Sequence, residues 1–170
     1  MANLDEQQIR NNIFRLVLHS GISEINLSLI LDISDRQLKR IKESKGNFNI
    51  ASINKACEFF NCEVEHLNSE ELNIVPDFRD RLKKVHKGNI EYEKILDDRP
   101  SLTFVIKFVL IQNKAFLTKG ISVKNIREYL SPMGYDYSSS HISLGMARLE
   151  KIVKRFPDPE NPRTFLYLRK

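Results

Sequence analysis

The chain has 170 residues and a formal net charge of +5, with 41% hydrophobic and 29% charged residues. That length admits one large domain or two small ones, and the composition is that of an ordinary folded protein. The opening stretch, MANLDEQQIR, is acidic and polar and lacks the apolar run of a secretory signal. The most apolar run, LTFVIKFVLI at 102–111, contains Lys107 and spans ten residues; crossing a bilayer takes about 20. A cytoplasmic protein without membrane contact is the expectation. Cys57 and Cys62 are the only cysteines. Five apart on a predicted helix, they share no face and have no CxxC spacing, so they read as reduced thiols. His19, His66, His86 and His141 are scattered without metal-ligand spacing. Gly-rich phosphate loops, HExxH and GxSxG are absent. The sequence therefore argues against an enzyme and points to no catalytic residue, metal or cofactor.

The charge is uneven. Residues 1–67 carry 8 Lys/Arg against 9 Asp/Glu, residues 68–99 carry 7 against 8, and residues 100–170 carry 12 against 5. The whole basic excess lies in the last seventy residues, which favours an anionic partner there.

In chain order, Ile9, Ile13, Phe14, Leu16, Val17 and Leu18 have helical spacing over 6–19, ending near Ser20-Gly21. Ser23 is placed to cap a helix over 24–31, with Leu27 and Leu31 inward. Ser34 is placed to cap the next, from 35 to about 44, in which Leu38 and Ile41 alternate with Arg36, Lys39, Arg40 and Lys42. SKGNFN at 44–49 is turn chemistry, with Gly46 and Asn47 suited to positive φ and Asn49 to capping. A fourth helix, about 50–60, turns Ile50, Ile53, Ala56, Cys57 and Phe60 inward. A fifth, within 61–67, closes the core with Val64 and Leu67.

Five short helices in 67 residues form a compact all-α unit. The run Leu27-Ser28-Leu29-Ile30-Leu31-Asp32-Ile33-Ser34, then Leu38-Lys39-Arg40-Ile41-Lys42, with Ile50, Ile53, Lys55, Ala56, Phe60, Cys62 and Leu67 behind it, resembles the phage-repressor-type (XRE, lambda-repressor-like) helix-turn-helix family over residues 9–67. The resemblance implies a DNA-binding domain over 1–68 whose third helix enters the major groove. Two positions depart from the family pattern. Glu24 stands where the family has a phosphate-binding Gln, and Asp32 replaces the turn Gly. Ile25, Leu29 and Ile30 are expected to be exposed where polar residues are commoner, offering a surface to a second domain or subunit.

Residues 69–99 read as a linker, extended around Pro76 and then one or two solvated helices broken near Gly88, a spacer expected to pack partly on both neighbours. Pro100 suits a helix start. A long apolar helix is expected over 101–117, a second over Ser122–Leu130, and a third from SSSH onward with Ile142, Met146, Leu149 and Val153 inward. A hairpin follows, from Arg155-Phe156 to a strand at Thr164–Leu168. This order, with Arg148-Leu149-Glu150 and Phe165-Leu166-Tyr167-Leu168, resembles a winged helix over 100–170. The expected fold is thus mainly α, a five-helix lambda-repressor-like domain plus a winged-helix-like domain with a small β-hairpin.

On such a scaffold Arg36 or Arg40 would pair with guanine, Gln37 with adenine and Asp35 with cytosine N4. Ser34 at the helix N-terminus and Lys45 would serve phosphates. In the second unit the candidates are Ser138, Ser139, Ser140, His141 and Ser143 at the start of the third helix, Arg148 further along it, and Lys154, Arg155 and Arg163 beside the hairpin tip. The plain alternative for the whole cation set is a solvated helix face. The expected partner is double-stranded DNA, bound by a homodimer acting as a transcriptional regulator through operator occupancy. The rival is a protein-interaction module of antitoxin or anti-repressor type with a degenerate head and a protein partner. A nucleic-acid enzyme or accessory subunit is a third class, without a carboxylate cluster to support it.

Overall fold

The computed structural model describes residues 3–170 and is mainly helical, with one small antiparallel sheet. The chain divides into two compact units, the first ending at Asp98 and the second running from Arg99 to Lys170. Among the described residues no helix is long and apolar enough to cross a membrane.

In the first unit the helices are α1 (Glu6–Ser20), α2 (Glu24–Leu31), α3 (Asp35–Lys42), α4 (Ile50–Phe60), α5 (Val64–Leu67), α6 (Phe78–Val85) and α7 (Ile90–Asp97). Asp5, Ser23, Ser34 and Asn49 cap the first four, each side chain accepting from a backbone N–H three residues on. Three helices close in the same way at their other ends. The left-handed residues Asp32 (φ 53°), Ser44 (φ 61°) and Asn61 (φ 51°) each turn the chain. The next N–H then reaches back five residues, from Ile33 to Ser28, Lys45 to Arg40 and Cys62 to Cys57. This Schellman closure brings its two end residues together. The positive φ expected at Gly46 or Asn47 falls instead on Ser44.

Phe59, Phe60, Ile9, Ile13, Leu27, Leu31, Ile41 and Leu67 centre the first core. Full burial of each such side chain stabilises the fold by about 1.5–3 kcal/mol. Ile50, expected inward, is 59% exposed at the start of α4, whereas Ile30, expected outward, is 7% exposed. A 3.6-residue period puts Ile53, Ala56 and Phe60 on one stripe and leaves Ile50 at its edge.

The segment 69–98, expected to be a spacer packing partly on both neighbours, belongs to the first unit and its core. Leu72, Leu82 and Leu96 are buried in it. Buried Asn12 on α1 donates to the carbonyls of Leu67 (2.9 Å) and Ser69 (2.7 Å), and Arg15 donates to that of Leu72 (3.0 Å). Buried Arg79 on α6 donates to Ser20 O (2.7 Å) at the end of α1, and to Leu96 O (2.7 Å) and Asp98 O (2.6 Å) at the end of α7. One guanidinium thereby satisfies the orphan carbonyls of two helix C-termini, where a cation also suits the dipole. His86 Nε2 donates to Phe59 O (2.6 Å) while its ring stacks on Phe59.

The second unit runs α8 (Leu102–Phe104), a π-helical turn (Val105–Val109), a 3₁₀ turn (Leu110–Gln112), α9 (Lys114–Thr118), β1 (Ile121–Ser122), α10 (Val123–Leu130), α11 (Ser139–Arg148), β2 (Val153–Pro157) and β3 (Phe165–Arg169). The single long helix expected over 101–117 is interrupted because Asn113 is extended and caps α9, accepting from Phe116 N (3.2 Å). The third helix stops at Arg148, and Val153 lies on β2. It is buried all the same, so the apolar period ran on past the helix that explained it. The expected two-stranded hairpin is the larger part of a three-stranded sheet ordered β1-β3-β2, because Ile121 and Ser122 pair with Tyr167 and Leu166. Gly120 (φ 92°) permits that junction, where a Cβ would lie 2.9 Å from Phe156 and 3.1 Å from Leu166. Gly145 on α11 lets Leu102 approach, at 2.2 Å from where a Cβ would stand.

Candidate nucleic-acid interface

Three residues, Asp32-Ile33-Ser34, separate α2 from α3. Leu38 and Ile41 anchor α3 in the core, and every other position on it is exposed. The exposed residues divide between two flanks. Arg36, Gln37, Arg40 and Lys45, with Ser34, line one cleft closed by Gly46 and Asn47. Asp35 and Lys39 line the opposite flank with Glu24, Ile25 and Lys42. The first flank is a concave basic edge; the second is of mixed sign.

Local structure holds the basic edge in place. Ser34 spends its hydroxyl as the N-cap, accepting from Gln37 N (3.2 Å). Arg40 and Lys45 are tied through Lys45 N and Arg40 O (2.8 Å), so the backbones carrying these two cations are fixed relative to one another. Lys45 also pairs with Glu43 (2.8 Å). Arg10, on α1, joins the rim by donating to Asn47 Oδ1 (3.3 Å). No pattern distinguishes it in the sequence from any other solvated cation on α1.

Glu24 and Asp32, the two acids expected to repel a phosphate, each pair with a lysine at the surface, Glu24 with Lys42 and Asp32 with Lys55 at 3.3 Å. Asp35, a candidate base reader, accepts from Ser28 Oγ at 2.5 Å and so stitches α3 to α2. Lys39, Arg40 and Lys42 also fall in the last turn of α3, where cations suit the helix dipole.

The second unit is basic in total, with one cluster of cations and the rest spread over its surface. Ser138 caps α11, accepting from His141 N (3.2 Å), and Ser139 receives a long hydrogen bond from Arg127 (3.5 Å). The His141 ring stands edge-on to Tyr137. Arg148 is exposed at the end of α11, beside a face whose large residue is the half-exposed Leu144. Arg163 sits at the hairpin tip with Asp158 and Glu160. Lys154 lines a shallow cleft with Glu150, Arg155 and Lys170, and Arg155 lies over the Phe165 ring at 4.4 Å. The structure thus brings Lys154 together with Arg155, also a candidate from the sequence, and with Lys170, which no pattern in the sequence singles out. Neither Ser139, His141, Arg148 nor Arg163 lines that cleft.

Among the described residues, no group of three or more His, Cys, Asp or Glu side chains could hold a metal ion. The Cys57 and Cys62 thiols, expected on different faces, interact across the closure of α4. Burial pushes the Cys62 thiol up to about 12 and raises that of Cys57. Thiolate is scarce at neutral pH in both, which makes them poor nucleophiles and ligands. Compared with protein-family models, curated proteins and solved structures, the chain matches none.

Proposed function

We propose that the chain is a sequence-specific binder of duplex DNA that regulates transcription by occupying its site, with α3 as the groove-reading element. The observation that carries this reading is the cleft of Arg36, Gln37, Arg40 and Lys45 on a helix whose opposite side is locked in the core. Cations supply phosphate affinity, and Arg and Gln side chains on one exposed face suit guanine and adenine edges. The three-residue connection between α2 and α3 fits a helix-turn-helix. Glu24 and Asp32 each pair with a lysine at the surface, which lessens their repulsion of a phosphate nearby.

Winged-helix architecture of the second unit is supported by its order, helix, strand, two helices, two strands, and by the sheet order β1-β3-β2. Its one cation cluster, Lys154, Arg155 and Lys170, lies at the sheet beside Glu150 rather than on the exposed face of a helix, which favours backbone contact over base reading. One helix-turn-helix reads a short site, so specificity calls for two copies on a two-fold site. The exposed Ile25 and Leu29 (65% and 68%) favour an additional protein contact on α2.

Selection of bound duplexes from a random pool tests the proposal. A recovered motif, lost in Arg36→Ala/Arg40→Ala with the fold intact, is the expected result. Failure to enrich any motif, with equal retention of all duplexes by both proteins, contradicts it.

A further inference from the structure

We propose that the groove bounded by α2, α4 and α7 binds a basic amphipathic segment of a partner protein. The groove has a volume of about 570 Å³ and belongs wholly to the first unit. Ile30, Tyr92 and Ile95 give it an apolar lining, and Leu29, 68% exposed, stands at its edge. One wall runs along α7 from Glu91 to Asp98, about 10 Å at a rise of about 1.5 Å per residue. That length takes two turns of a helix laid into an apolar groove, a common mode of peptide recognition.

Charge selects the occupant. Four acids, Asp32, Glu58, Glu91 and Asp98, line the groove against two lysines, Lys55 and Lys94. Asp32 and Lys55 cancel as an ion pair at 3.3 Å. That leaves Glu58, Glu91 and Asp98 against Lys94 alone, a net charge of −2. Glu58 and Glu91 both bear on the Tyr92 hydroxyl, whose pKa is raised by burial first and by these two acids next, so the acids converge on the apolar lining. A segment with apolar side chains on one face and Lys or Arg beside them satisfies both features. A second copy does not. Its own groove would oppose like charge, and its cation cluster, Lys154, Arg155 and Lys170, lies in a cleft that cannot enter another. The groove shares no residue with the Arg36–Arg40–Lys45 cleft, so each is free to be filled without the other.

The contact stands apart from the DNA reading and is measured on the full chain without DNA. The probe is a peptide of about 15 residues, leucine and lysine at helical spacing, with a leucine and glutamate peptide as its counterpart. The chain as a whole carries +5, so long-range charge opposes the lysine peptide and its binding reports the groove. The wild type is expected to bind the lysine peptide saturably, with a Kd below about 1 mM, and to leave the glutamate peptide free. Glu58→Lys/Glu91→Lys reverses the sign of the groove; it should weaken the lysine peptide by at least about tenfold and gain the glutamate peptide. Leu29→Ser, with charge unchanged, should weaken the lysine peptide by about tenfold. All three positions are exposed, so the circular-dichroism spectra stay as in the wild type. A lysine peptide left free, equal binding of both peptides, or an undiminished affinity in the charge variant overturns the inference. So does a change in the sedimenting mass of the chain alone in either variant, which would make a second copy the occupant. None of these outcomes depends on whether the chain binds duplex.

Discussion

The two units present their cations in opposite ways. The first has no net positive charge over residues 1–67, yet three of its exposed cations, Arg36, Arg40 and Lys45, gather in one cleft along α3 and the turn after it. The second carries 12 Lys/Arg against 5 Asp/Glu over 100–170, yet its hairpin tip mixes Arg163 with Asp158 and Glu160, and α11 presents Leu144. Net charge describes the long-range field of a domain. Recognition depends on which cations a rigid element holds on one face. In α3, the Ser34 cap, the Leu38 and Ile41 anchors and the Ser44 closure supply that rigidity.

Chemical reactivity offers the largest contrast between the units, because both cysteines lie in the first. With its thiol pushed up to about 12 by burial, Cys62 has far less thiolate near neutral pH than an ordinary thiol. The neutral form is the one favoured by burial, so alkylation is expected to accelerate with pH until the pH reaches about 12 or the first unit opens. Rapid labelling of both thiols in native protein at pH 8, followed by mass spectrometry, would contradict the packing around α4.

Arg79→Ala should destabilise the first unit by about 3 kcal/mol, since it leaves three helix-terminal carbonyls without their donor. Denaturant titration followed by thiol labelling reports that unit alone. An unchanged midpoint would mean the guanidinium contributes nothing. The counterpart in the second unit is Gly145→Ala, whose methyl meets Leu102. Overpacking of about 1–3 kcal/mol, offset by about 1 kcal/mol of helix propensity, leaves a net loss near 1 kcal/mol. Thermal melts should show it without any change in thiol reactivity.

Ser44→Gly is the smallest effect. It removes a left-handed serine (φ 61°) and should stabilise the first unit by about 0.5–1 kcal/mol with the Arg36–Arg40–Lys45 cleft unchanged. A loss of stability would show that the Ser44 side chain does more than tolerate the turn.

Much of the first unit was legible because capping residues mark their own helices. Ser23, Ser34 and Asn49 each cap the helix they were expected to cap. The linker reading of 69–99 failed for a physical reason. Arg79 and Leu82 sit in a run of alternating charges, and nothing local reveals that the arginine is buried by carbonyls from α1 and α7. The three-stranded sheet was missed because β1 is two residues long, too short for an alternation to show. At the candidate site Arg36, Gln37 and Arg40 were legible as one exposed face. The diversion of Asp35 to Ser28 was not, since it depends on how α2 crosses α3.

The central claim is tested most directly by the salt dependence of duplex binding in two matched variants, Arg36→Ala/Arg40→Ala and Arg148→Ala/Lys154→Ala/Arg163→Ala. The account predicts that affinity for a selected duplex falls by about 100-fold or more in the first, as expected for losing base contacts of about 1–3 kcal/mol each. In the second, affinity should fall by less than about tenfold, through phosphate contacts alone. The reverse order, or indifference to both, would contradict it.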